Sequence, residues 1–239
     1  MGNEGNNNLP SVIAAAHELK SPLSLIRQLT LILGDDKTTA AQRDQVIKRI
    51  NLTSEKALRL TSDLTRAYNL TDSTLFPLSP LSPQQICHEL LYDMTPYIKS
   101  QGREVRLVMP TKTPLIISNA DLLGRILANF MDNALHYTFG EEKLQLLVSV
   151  NKKSNKVRLG LRDFGPSVKT DYFTSIENGM AKNAEVVHAR PESSGLGIYI
   201  SARFAEMINS QIGVTRHRNG ATFYVDVPIS SQLNLFKNI

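Results

Sequence analysis

The chain has 239 residues, a net charge of +5 at pH 7 and an apolar content of 41%. That length holds one large domain or two small ones with a sizeable hydrophobic core. Its basic residues are scattered and are not interleaved with aromatics, so we do not expect a nucleic-acid partner. The single cysteine, Cys87, excludes an internal disulfide and is typical of a reducing compartment.

The N-terminal third of the sequence predicts a helical hairpin over residues 10–72, after a disordered polar leader at 1–9. Apolar residues alternate at steps of three and four over 10–33, which indicates a helix packed in a bundle. We expect this helix to end at Gly34 in a left-handed cap. Residues 39–42, Thr-Ala-Ala-Gln, form a capping box that opens the second helix.

Two amphipathic helices joined by a tight turn cannot bury both of their apolar stripes alone. We therefore expect the hairpin to pair with a second copy of itself in a dimeric four-helix bundle. The alternative is that the hairpin packs on the downstream domain of its own chain.

The remainder of the chain, residues 73–239, alternates helices with strands. It predicts an α/β sandwich, an antiparallel or mixed sheet with helices on one face. A helix capped by Ser82 should be interrupted near Pro96, and the irregular segment at about 164–193 has the length of a functional or disordered loop. The other predicted elements are strands at 105–109, 115–117, 144–150, 157–161, 211–217 and 221–228, and helices at 121–137 and 196–209.

A histidine and an acid stand side by side on the first predicted helix, as His17 and Glu18. Pro22 has no amide hydrogen for the Glu18 carbonyl, and its ring crowds that carbonyl. The helix should therefore bend one turn after His17, at a cost of about 3 kcal/mol that suggests a use. Taken alone, His17 also fits a surface histidine on a polar helix face.

Amide side chains mark the helix predicted at 121–137. Asn129 and Asn133 are four residues apart and share one helix face, with His136 and Tyr137 about a turn further on. An amide oxygen suits Mg²⁺, which usually keeps several waters and takes few protein ligands. Alternatively, the two asparagines merely cap or solvate the end of the helix.

Two further motifs have the chemistry to bind parts of a nucleotide. Asp163 follows a buried-type strand, and a carboxylate there can accept a hydrogen bond from the exocyclic amine that adenine has and guanine lacks at the equivalent position. Gly195 and Gly197 let backbone amides approach a phosphate where a helix begins. Each motif has an ordinary alternative, a strand-to-turn aspartate and a glycine-containing turn.

Four segments carry these residues in a fixed order along the chain: 17–23, 129–134, 163–165 and 194–198. In this order they resemble the H, N, G1 and G2 boxes of bacterial sensor histidine kinases, over about 12–228. The resemblance implies a dimerising hairpin with the phosphoacceptor histidine, followed by the GHKL-type ATP-binding fold shared with type II topoisomerases, Hsp90 and MutL.

The resemblance also implies a role for each matching residue. His17 is the phosphoacceptor that attacks the γ-phosphorus of ATP, and Glu18 is its general base. Asn133 is the Mg²⁺ ligand, while Asp163 reads adenine with Thr222 as its helper. The other residues expected to contact ATP are Asn129, His136, Tyr137, Gly165, Gly195, Leu196 and Gly197.

The sequence departs from the family's pattern at three serines. Ser167 stands where the G1 box usually has its second glycine, and Ser193 stands where the G2 box has its first. A glycine at positive φ is costly to replace, which puts ATP affinity or loop closure in doubt. Ser21 stands where threonine or asparagine usually orients a water in members that also dephosphorylate their partner.

Three functions follow from these motifs. The first is a homodimeric kinase core that uses ATP and Mg²⁺ to phosphorylate His17 and passes the phosphoryl group to an aspartate of a response regulator receiver domain. The second is a degenerate kinase that acts as a docking or dimerisation module, or as a regulator phosphatase with weak ATP turnover. The third, a related ATPase or protein-serine kinase, has no need of His17 and Glu18 followed by a proline. We expect a cytoplasmic location, with a membrane reached only through a sensor region outside this sequence.

Overall fold

The computed structural model describes residues 9–68, 76–138, 142–165 and 196–231. The predicted leader up to residue 8, the predicted boundary at 72/73 and most of the irregular segment lie outside these ranges. The helices are α1 (Leu9–Leu33), α2 (Ala40–Tyr68), α3 (Pro83–Ser100), α4 (Ala120–Tyr137) and α5 (Leu196–Met207). The strands are β1 (Ser79–Leu81), β2 (Val105–Val108), β3 (Ile116–Ser118), β4 (Leu144–Asn151), β5 (Lys156–Arg162), β6 (Gln211–His217) and β7 (Gly220–Pro228).

The two long helices α1 and α2 form the predicted hairpin. Thr39 donates its backbone N–H to Gln42 Oε1 at 2.9 Å, and Gln42 donates its N–H to the Thr39 hydroxyl oxygen at 3.3 Å, which confirms the capping box. Gly34 does not adopt the predicted left-handed conformation. Its N–H bonds to the Thr30 carbonyl at 3.2 Å, so the chain keeps the helical pattern there. Helix α1 runs through Pro22 without a break, and a bend at that position stays a prediction.

A five-stranded mixed sheet, in the order β2-β4-β5-β7-β6, forms the centre of the second part of the chain. β2 and β4 are parallel, and the other neighbours are antiparallel, which confirms a mixed sheet. A separate antiparallel pair, β1 with β3, places Ser79 opposite Ser118. Strand β1 was not predicted, because its Pro80 is typical of a loop. In a two-stranded pair, however, every strand is an edge strand and tolerates proline.

The hydrophobic core lies between this sheet and helices α3, α4 and α5. Helix α4 anchors it with six fully buried side chains: Leu122, Leu123, Ile126, Leu127, Phe130 and Met131. Burying one such side chain contributes about 1.5–3 kcal/mol. Phe130 contacts Phe223 of β7, with ring centroids 6.1 Å apart. This packing fixes the face of α4 that carries Asn129 and Asn133.

Helix α3 is continuous through Pro96, contrary to the predicted interruption. The only carbonyl deprived of its helical partner by Pro96 is that of Tyr92, four residues earlier. Both residues lie on the exposed side of α3, and Tyr92 is 83% exposed, so water can satisfy that carbonyl. The Ser82 cap is present, since its hydroxyl oxygen accepts the Gln85 N–H at 3.3 Å.

Helix α2 packs against α5 of the second part of the chain and is joined to α4 by ion pairs. Leu64 and Ala67 of α2 are buried in the same core cluster as α4. Beside them run three ion pairs, which we call the α2–α4 ion-pair row: Lys56 with Asp132, Asp63 with Arg125, and Arg66 with Asp121. The order of the partners shows that the two helices pass in opposite directions.

The hairpin also keeps a large exposed apolar surface. Among the described side chains of the hairpin, six large apolar ones are exposed: Leu23, Leu31 and Ile32 of α1, and Ile47, Leu52 and Leu58 of α2. Packing on the downstream domain therefore covers only part of the two stripes. None of the described helices combines the length and the apolar content that crossing a membrane would need.

Candidate functional site

The amide face of α4 meets the beginning of α5. Asn129 is half-buried, and its Nδ2 donates to the Gly197 carbonyl at 3.4 Å and to the Ser201 hydroxyl at 3.3 Å. Ser201 in turn donates its hydroxyl to the same Gly197 carbonyl at 2.8 Å. Asn133, one turn further along α4, is half-buried, and its amide has no hydrogen-bond partner among the described residues. The structure thus brings together two of the sequence motifs, on α4 and α5.

Asp163 lies directly after β5 with 1% of its surface exposed. Its Oδ1 accepts the Gly165 N–H at 3.0 Å and the Ala221 N–H at 3.3 Å. Its own backbone N–H donates to the Ala221 carbonyl at 2.9 Å. The carboxylate is therefore held in place by backbone groups of its own turn and of β7.

The turn after Asp163 is packed tightly against the end of α4. A Cβ on Gly165 would overlap the Tyr137 carbonyl, so only glycine fits there. The Phe164 N–H donates to the Thr138 hydroxyl oxygen at 3.2 Å, and the Thr138 carbonyl accepts a bond from Arg103 at 2.5 Å. These contacts fix the predicted Asp163–Gly165 motif relative to the predicted Asn133–Tyr137 stretch.

His136 and Tyr137 differ in their surroundings at the end of α4. His136 is exposed, and its ring stands edge-on to the Tyr137 ring, with centroids 4.7 Å apart. Tyr137 is 8% exposed, and its backbone carbonyl lies against Gly165 in the turn after β5. Of the two, His136 is the one whose side chain is open to solvent and to a ligand.

Thr222, the predicted helper of Asp163, makes a different contact. Its hydroxyl is hydrogen-bonded to His217 Nε2 at 2.8 Å, and it stands opposite Arg162 in the β5–β7 ladder. Because side chains alternate along a strand, it lies on the sheet face opposite to Ala221 and Phe223. The residue of β7 that bonds to the Asp163 carboxylate is Ala221, through its backbone, which no side-chain motif could reveal.

Helix α5 begins at Leu196, which is fully buried, and continues with the half-exposed Gly197. A Cβ added at Gly197 would meet no atom of residues 9–68, 76–138, 142–165 or 196–231 within 4 Å, apart from its own helix and chain neighbours. The first N–H groups of a helix and the positive end of its dipole favour an anion. Gly195, Ser193 and Ser167 lie outside the described residues.

Glu18 of α1 acts electrostatically on Lys56 of α2, which is paired with α4. His17 belongs to α1, although its side chain lies outside the described part of the chain. Lys56 pairs with Asp132 at 3.5 Å. Burial lowers the pKa of Lys56, but Asp132, Tyr97 and Glu18 together more than offset this and raise it above its usual 10.5. Glu18, half-buried, is thus in the same electrostatic neighbourhood as Asp132, which precedes Asn133.

Ser21 is exposed on α1, so its hydroxyl is open to solvent, as the predicted contact with a water requires.

The described residues contain no cluster of three or more histidine, cysteine, aspartate or glutamate side chains that could hold a metal. Neutral amides at Asn129 and Asn133 instead fit a Mg²⁺ ion that is bound mainly by phosphates and water.

Residues 118–231 match the family described as histidine kinase-, DNA gyrase B- and HSP90-like ATPases. This range begins at the end of β3 and closes just after β7. It includes the amide face of α4, Asp163 and the beginning of α5.

Curated relatives cover both parts of the chain. Histidine protein kinase SaeS of Staphylococcus epidermidis is 25% identical over 202 residues, which are 83% of this chain and 57% of that protein. Histidine protein kinase SaeS of Staphylococcus aureus is 24% identical over 205 residues, 84% of this chain and 57% of that protein. The chain therefore spans little more than half the length of the curated relatives it matches.

Solved structures share the fold at low sequence identity. Histidine kinase ThkA, in complex with response regulator protein TrrA, has a TM-score of 0.63 and 17% identity, over 90% of this chain and 60% of that one. Full-length ShkA, in complex with AMPPNP, has a TM-score of 0.62 and 23% identity, over 95% and 46%. Histidine kinase AdeS of Acinetobacter baumannii has a TM-score of 0.61 and 15% identity, over 90% and 98%.

Fold and family match together define the class: an ATP-binding domain of the GHKL type joined to a helical hairpin. Residues 118–231 belong to the histidine kinase-, DNA gyrase B- and HSP90-like ATPases, and the fold and the SaeS relatives support a sensor histidine kinase catalytic core for the chain.

Proposed function

We propose that this chain autophosphorylates His17 with ATP and passes the phosphoryl group to an aspartate of a response regulator. One observation carries the proposal: the buried Asp163 carboxylate, fixed by two backbone N–H groups, lies in one domain with the amide face of α4 and the beginning of α5. The family match supports it for residues 118–231, and the SaeS relatives, which are named histidine protein kinases, support it because they match 83% of the chain.

Asp163 is suited to recognise adenine. An ionised carboxylate only accepts hydrogen bonds, and adenine offers an exocyclic amine as donor. Because Oδ1 is bonded to Gly165 and Ala221, the orientation of the carboxylate is set before ATP binds. A purine with a keto oxygen in place of that amine would place two acceptors together and bind less well.

The phosphates of ATP would lie between α4 and the beginning of α5. Leu196 and Gly197 provide N–H groups at the beginning of α5, and no described side chain blocks the approach of a phosphate to Gly197. Gly195 is proposed as a further phosphate contact. On α4, Asn129 and His136 would contact the phosphates. Asn133 would hold Mg²⁺, which neutralises charge on the phosphate oxygens when bound.

The reaction at His17 begins with a neutral imidazole. One ring nitrogen forms a bond to the γ-phosphorus, the bond from that phosphorus to the bridging oxygen breaks, and ADP leaves. The proton on the other ring nitrogen passes to Glu18, its neighbour in the chain. The P–N bond that results is reactive, so the phosphoryl group can move on to a carboxylate oxygen of the regulator while the His17 nitrogen leaves.

The partners follow from the hairpin. Its six exposed large apolar side chains support a homodimer through α1 and α2. ThkA is solved with the response regulator protein TrrA, which supports a receiver domain as the phosphoryl acceptor here as well. We place the reaction in the cytoplasm, where ATP and such an acceptor would be available.

A degenerate kinase is the second candidate, because Ser167 and Ser193 replace glycines usual in the family. In that case the hairpin would dock a regulator or a second copy while ATP is bound and turned over weakly. Ser21, exposed on α1, would then serve a regulator phosphatase by orienting a water.

The test is incubation with γ-labelled ATP and Mg²⁺, for the wild type, His17→Gln, Asp163→Ala and, as a control, the exposed α3 histidine in His88→Gln. We expect an acid-labile, alkali-stable label on the wild type and the control, and none on the other two. ATP binding without any label would favour the degenerate kinase. Recovery of label in a Ser167→Gly, Ser193→Gly double variant would then identify the serines as the cause.

An acid-stable label, or phosphate release unaffected by His17→Gln, would contradict both candidates. It would select the related ATPase or protein-serine kinase.

A further inference from the structure

Arg162, the last residue of β5, is a charged side chain in an unusual place. Only 8% of its surface is exposed, although no motif of the site includes it. Its guanidinium donates to the Asp163 carbonyl, to the Asn219 carbonyl at 3.0 Å and to Asn219 Oδ1 at 2.8 Å. It also lies over the Phe164 ring, 4.5 Å from the centroid. One side chain therefore joins the Asp163–Gly165 turn to the β6–β7 turn.

The β6–β7 turn forms one wall around Asp163. Gly220 has φ +107°, and a Cβ there would overlap the Asp163 carbonyl and lie 2.7 Å from its Oδ1. The next residue, Ala221, donates its N–H to the same Oδ1. Any displacement of the β6–β7 turn would therefore change the position of the Asp163 carboxylate.

Burial of the charged Arg162 side chain is energetically unfavourable. Burial lowers the pKa of its guanidinium, and the neighbouring Asp163 offsets this only in part. A planar guanidinium has five N–H donors in a fixed fork, which suits it to bridge two acceptors on Asn219 and one on Asp163. No neutral side chain offers that combination.

We propose that Arg162 is a positioning residue of the adenine subsite: by binding the Asn219–Gly220 turn to the Asp163 turn, it orients the Asp163 carboxylate and sets the preference for adenine over a 6-keto purine. The inference rests on the proposed role of Asp163 and goes beyond it, since Arg162 itself does not touch the nucleotide.

Binding of ATP and of inosine triphosphate, measured by titration calorimetry with Mg²⁺, tests this inference. Inosine triphosphate has a keto oxygen where ATP has its amine, so it bypasses the contact with Asp163. We expect Arg162→Gln to weaken the binding of ATP about tenfold and the binding of inosine triphosphate less than about twofold. A tenfold change corresponds to the loss of roughly one charge-assisted hydrogen bond. The preference for ATP should nearly vanish.

The matched control is Arg158→Gln, four residues earlier on the same face of β5. Arg158 pairs with Asp226 at 2.7 and 2.8 Å and lies over the Tyr224 ring, away from Asp163. We expect it to bind both nucleotides as the wild type does. Asn219→Ala, at an exposed turn position, removes one acceptor and should lower the preference about threefold, even if Arg162→Gln does not fold.

Equal weakening of both nucleotides by Arg162→Gln, or an unchanged preference in folded Arg162→Gln or Asn219→Ala protein, would overturn the inference and leave the proposed function intact. A wild type that binds neither nucleotide would overturn the proposed function, and this inference with it.

Discussion

At the residue scale, the site depends on how closely backbone groups approach one another. Gly165 and Gly220 are packed so tightly, against Tyr137 and Asp163, that neither position has room for a Cβ. Gly197 is the opposite case, because no atom of the described residues lies within 4 Å of an added Cβ. Packing against those residues therefore does not require a glycine there, and the proposed approach of a phosphate gives it a use.

This contrast predicts opposite effects of one substitution on stability and on binding. Gly197→Ala should raise the free energy of unfolding by up to about 1 kcal/mol, because alanine favours the helix. It should also weaken ATP binding several-fold, since the added methyl group would occupy the space through which a phosphate approaches Gly197. Gly124→Ala, in α4 and with the same open surroundings, should stabilise equally and leave ATP binding unchanged.

Chemical denaturation and nucleotide titration on the three proteins measure both effects. Unchanged ATP affinity in stabilised Gly197→Ala protein would remove the beginning of α5 from the phosphate site.

His217 predicts a pH dependence of stability. It is half-buried beside Thr222, and burial, with a further contribution from Arg162, lowers its pKa below 6.5, against the attraction of Asp163. In the unfolded chain it takes up a proton near pH 6.5, but in the folded protein only at lower pH. Its contribution to stability is therefore present above pH 6.5 and lost as the pH falls through the folded value.

Urea denaturation at pH 7.5 and 5.5 measures this contribution. We expect His217→Gln to lose less stability on acidification than the wild type, and His88→Gln to keep the wild-type dependence. Identical losses in all three proteins would show that His217 does not titrate differently on folding.

At the scale of elements, the α2–α4 ion-pair row joins the hairpin to the ATP-binding domain. Its central member, Asp63, is 6% exposed and pairs with Arg125, which also donates to Asp121 at 3.0 Å. Burial raises the pKa of Asp63 even with Arg125 beside it, so the carboxylate depends on that cation. The flanking pairs are more exposed and contribute less.

Arg125→Ala should therefore lower the free energy of unfolding by about 2–3 kcal/mol, because it leaves the Asp63 carboxylate buried and unpaired. Arg49→Ala, at an exposed position of α2, should change it by less than about 0.5 kcal/mol. Adding Asp63→Asn to Arg125→Ala should restore part of the loss. A double-mutant cycle without coupling would mean that this pair does not hold the two parts together.

The elements that were predicted correctly are those whose signals are local. The capping box of Thr39 and Gln42 and the apolar periodicity of α4 come from residues within one or two turns. The interruption at Pro96 was wrong because its cost depends on whether the Tyr92 carbonyl is solvated, which a sequence does not state. The α2–α4 ion pairs join residues more than fifty positions apart, and no periodicity links them.

At the scale of the whole molecule, the hairpin has more apolar surface than its own chain covers. Leu31 and Leu58 are 68% and 70% exposed on α1 and α2. We expect the wild type to be dimeric, and Leu31→Glu with Leu58→Glu to be monomeric and folded, because each charge would be buried in the bundle.

Sedimentation equilibrium distinguishes these states. Tyr92→Glu, at a site of α3 that is 83% exposed, is the control and should stay dimeric. A monomeric wild type would contradict the homodimer that we propose for the hairpin.

The site as a whole was predictable only in part. The order of the motifs at Asn129, Asn133 and Asp163 pointed to the ATP-binding domain that the family match shows. The sequence did not predict the backbone contacts at Ala221 and Gly220 or the contacts of the buried Arg162. Strand pairing decides which of these groups meet. Thr222 illustrates the same limit, because its face of the sheet follows from register and not from residue type.

Phosphopeptide mapping at neutral pH after a single turnover with Mg-ATP identifies the residue that receives the phosphoryl group. We predict one phosphoryl group, on the ring of His17, in the peptide that also contains Glu18, and its return to ATP when ADP is added. A phosphoryl group on a serine or threonine, or on another histidine, would contradict it.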